Sequence, residues 1–278
     1  MIARLELLRL WRSRRPVLAA GALAFFVGLM LLGFYTYAQT ETSGAAEFEY
    51  TVENPSYFNG LTFALYAFYF GFLLVLPIFG ATEGGAQIAS DTARGTMNLY
   101  LTRPVTRARV FFTKVAVAAG FMTLLVGLFL SFALLIGLLL IGWGDLDLYP
   151  GVLQMTDRHQ HLDQTEALWR FAFAWPAASL ALLAPLTLSF LVSTWTRNAV
   201  NAVGAAVALY LILYVIAEIH LFEDLRPWLF TSYMSYWRAL FQEEIDVAAM
   251  LRDAASVTGF TVLFLALAFR RFRRREER

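Results

Sequence analysis

The chain has 278 residues, of which 59% are hydrophobic and only 15% charged, with a formal net charge of +1 and no cysteine. An average soluble domain carries about 25% charged residues, so the composition argues against a soluble globule of this length. The absence of cysteine excludes disulfides and thiol chemistry outright.

The N-terminal stretch IARLELLRLWRS, residues 2–13, places Ile2, Leu5, Leu8 and Trp11 at steps of three, with Arg4, Arg9 and Arg12 off that line. It predicts an amphipathic helix lying in the membrane interface. A plain positive anchor ahead of the first span fits the same residues. Six apolar segments follow, near 17–38, 61–81, 115–142, 171–193, 199–217 and 254–269. None contains Asp, Glu, Lys, Arg or His, and each is close to the length that a bilayer crossing needs. The first is longer than the apolar run of a secretory leader and no small-residue cleavage pattern closes it, so it is expected to remain as a span.

Basic residues are segregated. Of the 22 Lys and Arg, seventeen fall in the N-terminal arm, the loop between the second and third segments, the turn at Arg197 and the C-terminal tail. Arg158, Arg170, Arg226, Arg238 and Arg252 fall on the other side. The acids run the opposite way: only Glu6, Glu83, Asp91, Glu276 and Glu277 share the basic side. Loops rich in Lys and Arg stay in the cytoplasm. The expected protein is therefore an all-α, multi-pass protein of the inner (cytoplasmic) membrane, with six transmembrane helices and both termini cytoplasmic.

The second segment is dense in aromatics. Its Phe63, Tyr66 and Phe70 are candidates for lining a substrate path, and Pro77 is expected to bend its inner end. The loop 82–114 that follows holds Arg94, Arg103, Arg107, Arg109 and Lys114, the only lysine of the chain. A short helix is predicted near 86–101. Pro104 stops it, because the residue before a proline avoids helical angles, and Thr106 is placed to begin the third long helix. The pattern reads as a structured elbow of helix, proline turn and helix; a solvated charged loop is the simpler reading. The fourth segment carries Pro176 and Pro185. The outer stretch 218–253, rich in Trp and Tyr, suits interfacial or re-entrant helices. Small residues make close-packing faces: Gly21, Ala24 and Gly28 in the first segment, and Ala202 and Ala206 in the fifth, with Gly204 and Ala208 beside them. These faces serve a dimer seam or packing within one subunit equally well.

Candidate chemistry is sparse. His159 and His161, flanked by Asp157 and Asp163, offer two imidazoles at short spacing for a metal; a polar outer loop explains them as well, and no metal site is expected. No catalytic constellation occurs. A phosphate-binding loop needs a lysine after a glycine-rich turn, whereas Lys114 follows VFFT. If ATP drives this protein, another chain hydrolyses it. No ionisable residue lies within the six segments, which argues against a proton or ion relay.

The stretch DTARGTMNLYLTRPVTRARVFFTK resembles the inner loop of ABC-2 type ABC-transporter permeases, on Asp91, Gly95-Thr96-Met97, Leu99, Leu101, Pro104-Val105-Thr106-Arg107 and Lys114. Asp91, Met97 and Tyr100 depart mildly from the commoner residues. Six crossings, the amphipathic arm and the Pro-Trp stretch before the last segment are similar to that family over the whole chain. The resemblance implies that the loop is a coupling helix seated in a groove of a separate ABC ATPase, with Asp91, Arg94, Gly95, Thr96, Met97, Leu99, Tyr100, Pro104, Arg107 and Lys114 forming it. It also implies that ATP and Mg sit in that partner and no cofactor sits in this chain. The expected assembly is a homodimer, or a heterodimer with a second permease, with two ATPase copies. Membrane lipid surrounds it and no nucleic acid is involved. The expected traffic is export of an amphiphilic or lipid-like molecule; a non-transporting scaffold or assembly subunit is the alternative.

Overall fold

The computed structural model describes Glu6 and residues 14–42, 58–93, 106–149, 153, 155, 159–196 and 198–274. Six helical runs among them are long and apolar enough to cross a membrane. The first is α1 (Arg15–Thr42). The second joins α2 (Gly60–Phe70), a π turn (Gly71–Val75) and α3 (Leu76–Ala93). The third is α4 (Arg107–Leu140). A two-stranded antiparallel hairpin of β1 (Leu146–Leu148) and β2 (Gln160–Leu162) follows, pairing Asp147 with His161. The fourth run joins α5 (Gln164–Ala181) to α6 (Leu183–Ser193). The fifth is α7 (Ala199–Glu218). Two 3-10 helices (His220–Trp228 and Phe230–Phe241) lead into α8 (Val247–Arg274), the sixth.

Prolines set the breaks. Pro77 has no N–H for the carbonyl of Leu73, four residues back, and the helix widens into the π turn just before it. The Tyr210 hydroxyl of α7 donates to that Leu73 carbonyl at 2.9 Å. Pro185 likewise cannot serve Ala181, and the fourth run breaks at Leu182. Pro176 stays inside α5. Where a bend is expected at Pro77 the helix carries a π turn, with the freed carbonyl satisfied by a neighbouring helix.

Glycines set the closest approaches. A Cβ on Gly84 would lie 2.3 Å from the Leu186 carbonyl oxygen, and one on Gly85 3.1 Å from Val203 Cα. So α3 is pressed between α6 and α7, backbone to backbone. The Ser193 hydroxyl of α6 also accepts from the Ile88 and Ala89 amides of α3, at 3.1 and 2.9 Å. At the opposite end Gly60 of α2 crosses Gly137 of α4 with no room for a side chain on either. Leu23, Val27 and Phe34 lean α1 onto this core, with Phe34 edge-on to Phe63 at 5.6 Å.

The structure corrects several boundaries. No loop begins at 82: α3 runs unbroken to Ala93, because Gly84 and Gly85 are held against other helices rather than freed to turn. The separate helix expected near 86–101 is, over 86–93, the end of the second span; residues 94–105 lie outside the described residues. The fourth run starts at Gln164 rather than 171, and the sixth covers Val247–Arg274 rather than 254–269. Arg170 paired to Glu166 one turn away, and the arginines at the end of α8, extend these helices past their apolar parts. Thr106 is the extended residue before α4, but its hydroxyl makes no capping bond.

A methyl at Gly84 has nowhere to go, whereas one at Gly120 would meet nothing within 4 Å. Gly84→Ala is expected to cost about 1–3 kcal/mol by overpacking and to lower the thermal unfolding midpoint in detergent. Gly120→Ala is expected to leave it unchanged. Equal midpoints for the two variants would contradict the backbone contact between α3 and α6.

Candidate functional site

The basic end of the bundle collects Arg15, Arg107, Lys114 and the arginines closing α8. Here Lys114, seven residues into α4, is 2% exposed. Its ammonium lies 2.5 Å from Asp91 Oδ2 on α3 and 2.8 Å from Glu6 Oε1 on the N-terminal arm. Asp91 and Glu6 are buried as well. A compact ammonium with three donors suits two carboxylates at once. Removing one member of a buried pair strands a charge, at a cost of about 3–5 kcal/mol, so this trio fixes three segments of chain against one another. It closes the loop between α3 and α4 and clasps the arm to it.

A second clasp lies beside it. Arg15 at the start of α1 reaches Glu83 of α3 at 3.6 Å, with the Glu83 side chain buried. Arg107 donates to the Arg273 carbonyl of α8 at 3.4 Å, and Arg271 stands over the Trp195 ring at 6.0 Å. All three acids described at this end, Glu6, Glu83 and Asp91, are buried in ion pairs. The exposed charge there is positive among the described residues. Lys114 is thus an internal tie and not a contact for lipid phosphate. Of the elbow residues, Arg94, Gly95, Thr96, Met97, Leu99, Tyr100 and Pro104 lie outside the described residues.

The acidic end carries the β-hairpin. Asp147 is 5% exposed; His161 Nδ1 lies 2.7 Å from its Oδ1 and His159 Nε2 3.9 Å away. The hydrogen bond to Asp147 pushes the His161 pKa up, with Asp145 and Asp163 adding to it. Among the described residues no group of three or more His, Asp or Glu is arranged to hold a metal ion; these histidines pair with acids. Arg170 of α5 donates to the carbonyls of Leu240, at 2.9 Å, and Gln242. It pins the end of the second 3-10 helix, whose Trp237 lies edge-on to Phe68 and Phe72 at 4.7 and 5.3 Å. That helix therefore dips into the bundle beside the second span.

Residues 1–277 match the family of ABC-2 family transporter proteins. The chain belongs to the ABC-2 transporter family. It is accordingly a multi-pass membrane subunit of an ABC transporter, and ATP is hydrolysed by a separate ABC ATPase subunit. No curated relative matches the chain.

The ABC-2 fold sorts the remaining candidates. Gly21, Ala24 and Gly28 stand on the exposed face of α1, and a Cβ on Gly21 or Gly28 would meet nothing within 4 Å. Packing among the described residues does not use them. Ala202 and Ala206 are 0% and 1% exposed, turned toward their own chain with Ala81 of α3 and Val192 of α6 beside Ala206. They cannot meet a second copy, which corrects their assignment to a seam; the exposed small residues of α7 are Gly204, Ala205 and Ala208. The proposed substrate-path set also divides. Phe63 is fully buried against Phe34, Tyr66 is half-buried, and Phe70 is 42% exposed. Sequence reasoning missed Glu6, the Arg15–Glu83 clasp and the depth of the second 3-10 helix. The scarcity of acids on the basic side was the available signal: each of the few was there to meet a cation.

Proposed function

We propose that this chain is the transmembrane half of an ATP-driven exporter of an amphiphilic or lipid-like molecule. It acts as a homodimer in the inner membrane, with both termini cytoplasmic and two copies of an ABC ATPase docked at the basic end. ATP and Mg belong to that partner. The elbow around residues 94–105 is the coupling helix, and Met97, Leu99 and Tyr100 supply its apolar contact. The observation that carries the reading is the Lys114–Asp91–Glu6 trio. A push on the elbow reaches α3 and α4 together through this tie, and α3 is locked to α6 and α7 by its glycine contacts. The movement is thereby delivered to the helices on either side of the π turn. Tyr66 and Phe70 line the path that the substrate takes.

Docking affinity comes from a buried apolar centre, while exposed ion pairs add about 0–1 kcal/mol each. Met97→Asp or Leu99→Asp is therefore expected to release the ATPase in a pull-down from detergent while the chain stays monodisperse. Arg94→Ala is expected to weaken capture modestly, more so at high salt. Retention of the ATPase by both Asp variants, with substrate-stimulated turnover intact, would show the elbow to be a charged loop only.

The seam of the homodimer lies on the exposed small faces of α1 and α7. Single cysteines at Gly28 or Ala208, in a chain that has none of its own, are expected to crosslink between copies in membranes. One at Ala206 is expected to stay silent. Crosslinking from Ala206 without any from Gly28 or Ala208 would contradict this seam.

A further inference from the structure

Arg238 is counted with the outer loops by sequence, yet it is half-buried against the bundle. It follows Trp237 in the second 3-10 helix, and its guanidinium lies over the Tyr69 ring, 5.8 Å from the centroid. Tyr69 is nine residues past Gly60, roughly 14 Å along the second span at 1.5 Å per residue. That ring contact places Arg238 alongside the second span, in its half toward the acidic end. A cation held there is costly and marks function by default.

The other arginines described at this end each have a carboxylate: Arg170 has Glu166, Arg226 has Glu223 and Arg252 has Asp253. Arg238 has none among the described residues; its Nε donates only to the Ser235 carbonyl, at 3.4 Å. The described residues of this end also include Glu218, Glu243, Glu244 and Asp246, so the want of a carboxylate at Arg238 among them is not a matter of supply. Apolar surface lies beside it. Phe70, its ring 5.2 Å from that of Tyr69, is 42% exposed, and Leu74, one turn on, is 52% exposed. With half-buried Tyr66 they form a stripe at steps of four along the second span.

We propose that Arg238, beside Tyr69, receives the anionic headgroup of the transported amphiphile, with the apolar tail along Tyr66, Phe70 and Leu74. The inference rests on the proposed export of an amphiphile and narrows its class to one whose headgroup bears a net negative charge on a phosphate or carboxylate. The planar guanidinium presents paired donors that fit either group, and the Tyr69 hydroxyl adds a neutral donor.

The test is native mass spectrometry of the full chain in neutral detergent, titrated with phosphatidylglycerol or phosphatidylcholine and without any ATPase. Failure of ATPase capture and failure of this site are then separate results. The expected result is a saturable site, one per chain, that binds phosphatidylglycerol on the order of 10-fold more tightly than phosphatidylcholine, the scale of a charge-assisted hydrogen bond. Arg238→Gln is expected to erase the preference, Arg238→Lys to keep part of it and Arg226→Gln to leave it whole. Tyr69→Phe, which keeps the ring, is expected to weaken phosphatidylglycerol roughly 3-fold and serves if Arg238→Gln does not fold. Undiminished preference in Arg238→Gln, or in Tyr69→Phe where that variant stands in, would overturn the proposal. So would displacement of the lipid by inorganic phosphate at equal concentration, which would assign the site to the free anion.

Discussion

One buried ammonium organises the basic end of this permease. Lys114 is the only lysine in the chain and it is spent inside, between Asp91 and Glu6. Burying charge is unfavourable unless each group meets a partner, so the three residues demand one another. That demand draws together segments far apart in sequence. It also takes Asp91 and Glu6 from the surface, so that the exposed charge at this end is positive among the described residues. A solvated loop would transmit nothing; a loop closed by a buried ion pair at its base moves with the helices that it joins.

The interior follows a second constraint. In an apolar medium every backbone group needs a partner. Where a proline removes a donor, the structure supplies a side chain: the Tyr210 hydroxyl meets the carbonyl that Pro77 abandons. Where the second 3-10 helix ends beside the hairpin, Arg170 meets its last carbonyls. Where α3 needs to approach α6, glycine lets the backbones touch and Ser193 bonds across. The same polar contacts that satisfy the backbone thereby lock α3, α6 and α7 into one unit below the π turn, while α2 above it is held to α4 through Gly60 and Gly137. Both halves of the second span touch α4, and the half past the π turn at Gly71–Val75 adds α6 and α7 as neighbours.

Much of this was legible in the sequence. Uncharged runs marked the six spans, and Pro77 marked the irregularity in the second. What was not legible depended on distant partners. Nothing local tells that Glu83, Gly84 and Gly85 continue a helix; they look like loop residues until α6 and α7 are placed against them. The fifth span carries two small-residue faces, Ala202–Ala206 and Gly204–Ala208, and helical period alone cannot say which one its own subunit buries. Arg238 reads as a loop charge because the apolar run that carries it, Phe230–Phe241, is too short to cross a bilayer. Only its packing against Phe68, Tyr69 and Phe72 draws it into the layer.

The central claim is that the buried trio positions the elbow for the ATPase, and charge exchange tests it most directly. Lys114→Asp gathers three acids with no cation between them; adding Asp91→Lys restores the pairing with the roles exchanged. ATP turnover of the purified permease–ATPase assembly in lipid is the readout, with folding of each variant checked by its elution as a single species. The account predicts that Lys114→Asp loses substrate-stimulated turnover and that the exchanged pair regains a substantial part of it. Native turnover in the folded Lys114→Asp variant would contradict it.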